Sequence, residues 1–318
     1  MRFLKISTLF LLALSLNSCN RSNNGPIVDE TYVHRYGVAL PQEDWAVQGQ
    51  SGKIITTLKT GVVVSKTLSS GILEGDTTYS FPHSEVIQKV ETYSQGNIKR
   101  MIVHYYSGKP AHEIIFNGPN SRQITRWYES GSPQSKEQIV NDKLVSGEYF
   151  TVKNQLEAKV ADSRGTRIQR DHYGQHVSQD TILNGEMVLC TTCHSNGAPK
   201  ELTPYKNRVV EGELRTFFPA GEPNTNEQWS GGKKEGVTIV YQNGEKYAEV
   251  PYVSGYKHGT ERRYRDGHHV IEELSWVNDQ RHGAAYSYIG DVIKTDWYYQ
   301  DRLVTEKTFE LLDGGKTR

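Results

Sequence analysis

The sequence predicts an all-β protein, an elongated single-layer antiparallel sheet of consecutive β-hairpins. Three observations predict it. Glycine (29 of 318 residues) and tyrosine (19) are abundant, against 3 methionines and a hydrophobic content of 36%. That mixture suits short strands and tight turns better than helices around a large core. Glycines recur at Gly174, Gly197, Gly221, Gly244, Gly267 and Gly290, in steps of 23 or 24 residues. Segments between them alternate polar and apolar, as in Glu245-Lys246-Tyr247-Ala248-Glu249-Val250, the pattern of a strand with one wet and one buried face.

The first element is a targeting segment, set apart from the fold. Arg2 and Lys5 precede the apolar run Ile6 to Leu16, too short to cross a bilayer as a helix. Leu16-Asn17-Ser18-Cys19 resembles the bacterial lipobox, which implies that Cys19 is the lipidated first residue of the mature chain. Asn17 departs from the small residue usual there, and an ordinary signal peptide with a chance cysteine is the alternative. A lipid would make the protein membrane-anchored. Asn20 resembles the residue of lipoproteins sorted to the outer rather than the inner membrane of a two-membraned cell. The expected division is signal peptide 1–18, flexible tether 19–31 with Gly25 and Pro26, repeat array 32–309 and polar tail 310–318.

Within the array the register extends upstream through Gly37, Gly61, Gly108 and Gly131, with Ser84 and Asn154 at the missing glycine positions. The step from Asn154 to Gly174 alone is short, at 20 residues. An aromatic residue often stands three before the turn glycine: Phe81, Tyr105, Tyr128, Phe218, Tyr241 and Tyr264. A second glycine stands about eight before it: Gly75, Gly212, Gly236, Gly259 and Gly283. Glycine or asparagine supplies the positive φ of a tight turn. One hairpin cannot bury its aromatic face alone, so neighbours must stack. Trp229, Tyr252, Trp276, Trp297 and Tyr298 are expected to form a stacked ladder, with a partly exposed ladder binding a glycan or peptide as the second reading.

The unit resembles the MORN repeat, in the variant form of the YwqK-type antitoxin family. Gly236, Tyr241 and Gly244 carry the resemblance, then Gly259, Tyr264 and Gly267, then Gly283, Tyr288 and Gly290. It is specific over residues 212–297 and fades before residue 70 and between 150 and 200. Tyr288 lies two before its glycine, not three, which predicts a tighter turn. The resemblance implies an elongated sheet of hairpins serving as a scaffold or binding surface.

One segment invites chemistry. Cys190-Thr191-Thr192-Cys193-His194 has the spacing of covalent haem attachment, but its flanks place it at a hairpin tip with little room for a haem. His172 and His176 straddle Gly174 one repeat upstream, and with Cys190 and Cys193 they could form a closed tetrahedral zinc site. The leading expectation is a disulfide between Cys190 and Cys193, the two thiols left in an exported chain once Cys19 is lipidated. His258 and His282, each preceding a repeat glycine, read as exposed turn residues. Charged residues five after the turn positions, such as Lys89, Glu113, Lys159 and Glu249, read as cross-strand pairs. No Ser-His-Asp spacing, phosphate loop or H-E-x-x-H occurs.

With 37 basic and 37 acidic residues, nothing favours nucleic acid as a partner. The expectation is a non-enzymatic envelope lipoprotein without a cofactor, a repeat scaffold that binds another envelope protein. An antitoxin-like inhibitor of one partner is the first alternative, and a metal- or haem-binding protein using residues 172–194 the second. Exposed edge strands leave self-association open.

Overall fold

The computed structural model describes residues 25–314. Cys19 and the signal segment lie outside the described residues. The described chain is all-β, of consecutive antiparallel hairpins, and divides into two units, residues 25–109 and 110–314.

In the first unit the strands are β1 (Ile27–His34), β2 (Ala39–Leu40), β3 (Gly52–Leu58), β4 (Val63–Ser69), β5 (Ile72–Leu73), β6 (Gly75–Ser80), β7 (Ile87–Ser94) and β8 (Asn97–His104), with a short helix α1 (Gln42–Val47) after β2. β1 pairs with β3 along its length and with β2 at Tyr32 and Val33. The chain 27–31 is therefore strand, not tether, because its backbone completes a ladder with Ile55 to Leu58. α1 buries Trp45 against Tyr32, ring centroids 5.8 Å apart.

The second unit runs through β9 (Pro110–Gly118), β10 (Ser121–Trp127), β11 (Pro133–Val140), β12 (Lys143–Phe150), β13 (Leu156–Ala161), β14 (Arg164–Arg170), β15 (His176–Leu183), β16 (Glu186–Cys193), β17 (Pro199–Lys206), β18 (Val209–Val210), β19 (Gly212–Phe217) and β20 (Pro223–Ser230). It continues with β21 (Lys233–Lys234), β22 (Gly236–Gln242), β23 (Glu245–Val253), β24 (Tyr256–Lys257), β25 (Gly259–Arg265), β26 (His269–Val277), β27 (Gln280–Ile289), β28 (Val292–Tyr299), β29 (Arg302–Val304) and a helix α2 (Glu306–Asp313). Each full strand pairs with the next full strand, the two-residue pieces β18, β21 and β24 pair with the strand before them, and β29 pairs with β28 alone. The expected polar tail is helical as far as Asp313, because Thr305 caps it by accepting from the Thr308 N–H and Phe309 packs on Trp297.

As far as Gly221 the two ends of a hairpin use different turns, whereas Asn243-Gly244, with φ of 53° and 80°, repeats the geometry of the opposite ends. At the predicted glycines, residue i donates its N–H to the carbonyl of i+4 and accepts from the glycine at i+3, as at Tyr128 and Gly131, His194 and Gly197, and Phe218 and Gly221. This is a type I turn closed by a bulge at a positive-φ residue. Asn154 fills that position with φ of 59°. At the Ser84 turn the positive φ falls instead on His83, at 54°. Asn243-Gly244 makes a two-residue loop with glycine second, whereas Gly290 stands first in its two-residue loop. That shift accounts for the displaced Tyr288.

The opposite ends are two-residue turns with both central φ angles positive, the type I′ geometry. Ser70-Gly71, Asn141-Asp142, Asn207-Arg208, Ser254-Gly255, Asn278-Asp279 and Gln300-Asp301 are examples. Several contain no glycine and escape a search for that residue. The second glycine series breaks strands in two. Gly75, Gly212, Gly236 and Gly259 each follow a kink separating a two-residue piece (β5, β18, β21, β24) from the longer strand beside the same neighbour.

Candidate functional site

Two arrangements on the sheet of the second unit hold the side chains with chemical character. They share one face, as the register fixes: Arg167 lies opposite Asp180, Asp180 opposite Cys190 and Cys190 opposite Thr203. Further along, Leu214 faces Glu227, Thr238 faces Val250, Glu261 faces Leu274, and Leu274 faces Ala285.

The first arrangement is a tight coil of the sheet over β11 to β17. β13 and β14 pair only at Val160 with Gly165 and Ala161 with Arg164. The Leu144 N–H donates to the Gly185 carbonyl at 3.0 Å. A flat sheet would hold those groups three strand spacings apart, roughly 14 Å. Arg208 likewise reaches the Asp142 carbonyl, 66 residues away, at 3.3 Å, and Gln134 donates to the carbonyls of Arg170 and Asp171. The coil falls on the short 20-residue step. A side chain at Gly165 would collide with the Lys159 carbonyl, so only glycine permits the approach. Inside the coil lies the hydrophobic cluster of Leu144, Tyr149, Val160 and Ile182.

Charges are buried with that cluster. Asp180, fully buried, accepts from Arg167 Nε at 2.8 Å and Gln169 Nε2 at 2.8 Å. Glu137 accepts from Tyr149 OH at 3.0 Å and Arg126 Nη1 at 2.9 Å. Burial, reinforced by the Glu137 charge, pushes the Tyr149 hydroxyl far above its ordinary range. Burial beside Asp180 pushes the Cys190 thiol up to about 12. A thiol held protonated is a poor nucleophile and a poor metal ligand. Ion pairs of this kind are frequently structural.

The 172–194 segment passes through this region without converging. Cys190 and Cys193 are free thiols on one extended strand, β16, not at a hairpin tip. The turn begins only at His194, whose N–H bonds the Ala198 carbonyl. Three residue steps along the strand separate the cysteines by roughly 10 Å, and the strand's alternation points them to opposite faces. Hence they form no disulfide ring. His194 Nε2 lies 2.9 Å from the Phe217 carbonyl, tied to the next repeat. His172 packs its ring on Tyr173, and burial with nearby Arg170 lowers the pKa of His176. Among the described residues no three His, Cys, Asp or Glu side chains are grouped to hold a metal. The zinc set His172, His176, Cys190 and Cys193 and the haem set Cys190, Cys193 and His194 are therefore not assembled.

The second arrangement is a ladder across the regular repeats. Trp229, Lys234, Tyr252, Lys257, Trp276, Arg281 and Tyr298 occupy successive strands, aromatic and cation by turns. Lys234 lies 5.1 Å from the Tyr252 ring centre, Lys257 4.4 Å from Trp276 and Arg281 4.2 Å from Tyr298, within cation–π range. Glu227 binds both Lys234 Nζ and Trp229 Nε1, and buried Glu261 binds Lys257 and Arg263. The ladder thus pairs its own charges, and its half-buried rings alternate with cations where a ring-on-ring stacked core was expected. Trp297 is not a member. It points to the other face, where it meets Phe309 of α2.

No sequence family matches the chain, and no curated protein matches it. Among solved structures, a chain of the Tc holotoxin pore of Photorhabdus luminescens aligns at 9% identity and a TM-score of 0.17, over 86% of this chain and 20% of that one. The chain spans about one fifth of that protein's length, and a likeness so slight carries no functional argument.

Proposed function

We propose that the protein is a non-enzymatic scaffold of the cell envelope, anchored by lipid at Cys19, that binds another protein through its repeat surface. One observation carries the reading. Beside the type I′ turns of the regular repeats stands a row of exposed apolar side chains, Val209, Val253, Tyr256 and Val277, from 39% to 53% exposed. Exposed apolar groups repeated along one edge are the composition of a contact surface. The cations and carboxylates of the ladder are paired with one another, which supports a structural rather than a reactive part for them.

A photo-crosslinking amino acid at Val253 or Val277 of the full-length chain in cells tests this. The expected result is one discrete adduct, abolished by charged residues at Val209 and Tyr256. Equal labelling of many proteins from both positions, unchanged by those substitutions, removes the reading. Lipidation is tested separately: label from radioactive palmitate should enter the wild type and be absent from Cys19→Ala. The likeness of residues 212–297 to the antitoxin family favours an inhibitor of one partner as the second reading. Rescue of growth on co-expression with a toxic neighbouring gene would distinguish it.

A further inference from the structure

One face of the regular run is roofed by a helix at its end and bare just before it. The roof is α2, whose 8 residues span roughly 12 Å, against a strand spacing of ~4.8 Å. Phe309 drops between His282, Trp297 and Tyr299, ring centroids 5.2, 5.1 and 6.3 Å away. Asp313, one turn on, lies 3.1 Å from His282 Nε2. A ring and a carboxylate four positions apart thus seat α2, which starts after β29, crosses β28 and ends over β27.

The same seat recurs one repeat upstream with no helix on it among the described residues. His258 stands between Lys257 and Gly259 as His282 stands between Arg281 and Gly283. Lys257 and Arg281 both lie against rings of the ladder on the opposite face, so strand alternation puts His258 on the face that α2 covers further along. Gly259 pairs with Trp276 as Gly283 pairs with Tyr298. Ser275 and Val277 therefore take the places of Trp297 and Tyr299. Val253 and Tyr256, a register pair beside the next turn, share this face. Val277, Tyr256 and Val253 are 39%, 53% and 48% exposed, and His258 is exposed where His282 is half-buried.

We infer that this bare stretch binds an acidic amphipathic helix of another protein, laid across β22 to β26 in line with α2. The inference deepens the scaffold reading and rests on it. The seat of α2 shows that the sheet takes a helix in this direction. The backbone groups of these strands are used in their own ladders, so an extended segment laid across them would leave its N–H and C=O groups without partners, whereas a helix satisfies its own. Charge sets the sign. Glu249 and Glu273 on this face are each bound to a cation and a tyrosine hydroxyl, and Glu235 to the Ser254 N–H. The side chains of His258 and of Lys233, which pairs with Ser230 on the same face, are exposed and have no partner among the described residues. From Val277 to Lys233 is three strand spacings, roughly 14 Å, or about ten residues of helix. The fitting helix carries a large apolar side chain between His258 and Val277, a carboxylate one turn on for His258 and another about two turns further for Lys233. A second copy's α2 is not the occupant, because its Phe309 and Asp313 are engaged on its own sheet.

The probe is a fluorescein-labelled peptide of residues 304–314, an acidic helix of known fit to the neighbouring seat, titrated against the full chain by anisotropy and followed by hydrogen exchange. It should bind, and slow exchange over residues 253–258 while leaving 297–309 unchanged. Val277→Glu in the full chain should weaken binding about tenfold, and Lys233→Glu comparably. Both positions are exposed, so either variant serves if the other folds poorly. Peptides with Phe309→Ala or Asp313→Lys should bind less tightly than the parent. Absence of binding, binding that ignores Val277→Glu and Lys233→Glu, or protection confined to 297–309, where the peptide would only displace α2, overturns the assignment. The scaffold reading is judged apart, on the Val253 and Val277 adducts: a discrete adduct without peptide binding strikes the helix and leaves the scaffold.

Discussion

The second unit solves one problem in two ways, in the coil over β11 to β17 and in the regular run over β19 to β28. Both must shelter one face of a sheet that no second sheet covers. The regular run does it sideways. Each ring is flanked by a cation from the next strand, and no residue there needs a contact beyond its neighbours. The coil does it by folding the sheet on itself, so that Leu144 meets a turn 41 positions on. That encloses a true core, along with carboxylates that cannot reach water. The contrast teaches that a repeat sheet gains a core where its period is broken, while buried carboxylates occur in both, Asp180 in the coil and Glu261 in the regular run.

The sharpest way to break the comparison is Asp180→Ala. It leaves the Arg167 guanidinium largely buried without its carboxylate, and a loss of about 3–5 kcal/mol in urea unfolding is expected. Replacing both partners together, as Arg167→Met with Asp180→Leu, should recover much of that loss, because the pair's desolvation cost goes with it. If the single substitution costs no more than a surface change, the coil is not the stability centre.

In the regular run, Trp276→Ala should cost less, about 2 kcal/mol, since the ring is only half-buried. Trp276→Phe should cost little, because the indole N–H is buried without a partner and its removal relieves a desolvated donor. The two thiols sharpen the contrast without changing stability. At pH 8, Cys190 should react with iodoacetamide at least about tenfold more slowly than Cys193, read by peptide mass spectrometry. Equal rates would show that the coil opens readily.

The smallest effect is expected on the opposite face of the regular run. Glu249 accepts from Lys246 and Tyr264, and those hydrogen bonds hold its pKa below the ordinary 4.5. A depressed carboxylate contributes stability that is complete above its unfolded pKa and lost as pH falls through its folded one. Glu249→Gln should therefore cost under ~1 kcal/mol at neutral pH. It should also flatten the stability profile below about pH 4.5.

Much of the regular run was legible in the sequence, because its signals are local. Gly244, Gly267 and Gly290 stand at turns, and the alternation of Glu245 to Val250 fixes which face Ala248 and Val250 share. The other row of turns was not, because turns such as Asn141-Asp142 and Asn278-Asp279 reach positive φ through short polar side chains that tolerate it. The cysteines were misplaced by a few residues. The turn starts at His194, and a strand reading of Glu186 to Cys193 would have separated the thiols at once. α2 had a readable signal in Thr305 followed by Phe309 and Leu312, a cap before a helical period. The coil had none beyond a step of 20 residues, since contacts such as Leu144 with Gly185 are long-range and leave no local pattern.

The kinks before the second glycines carry a consequence for how such a chain can change. At each junction one carboxylate binds a backbone N–H of the adjoining repeat. Glu74, Glu211 and Glu235 reach forward to Gln95, Gly231 and Ser254. Where His258 and His282 replace that glutamate, Asp279 and Asp301 reach back to Lys257 and Arg281 instead. The donor of negative charge is thus keyed, supplied by one partner or the other. Duplicating or excising a hairpin across the boundary at Glu235 would bring both acids to one junction or leave it with neither, so these units are not interchangeable parts.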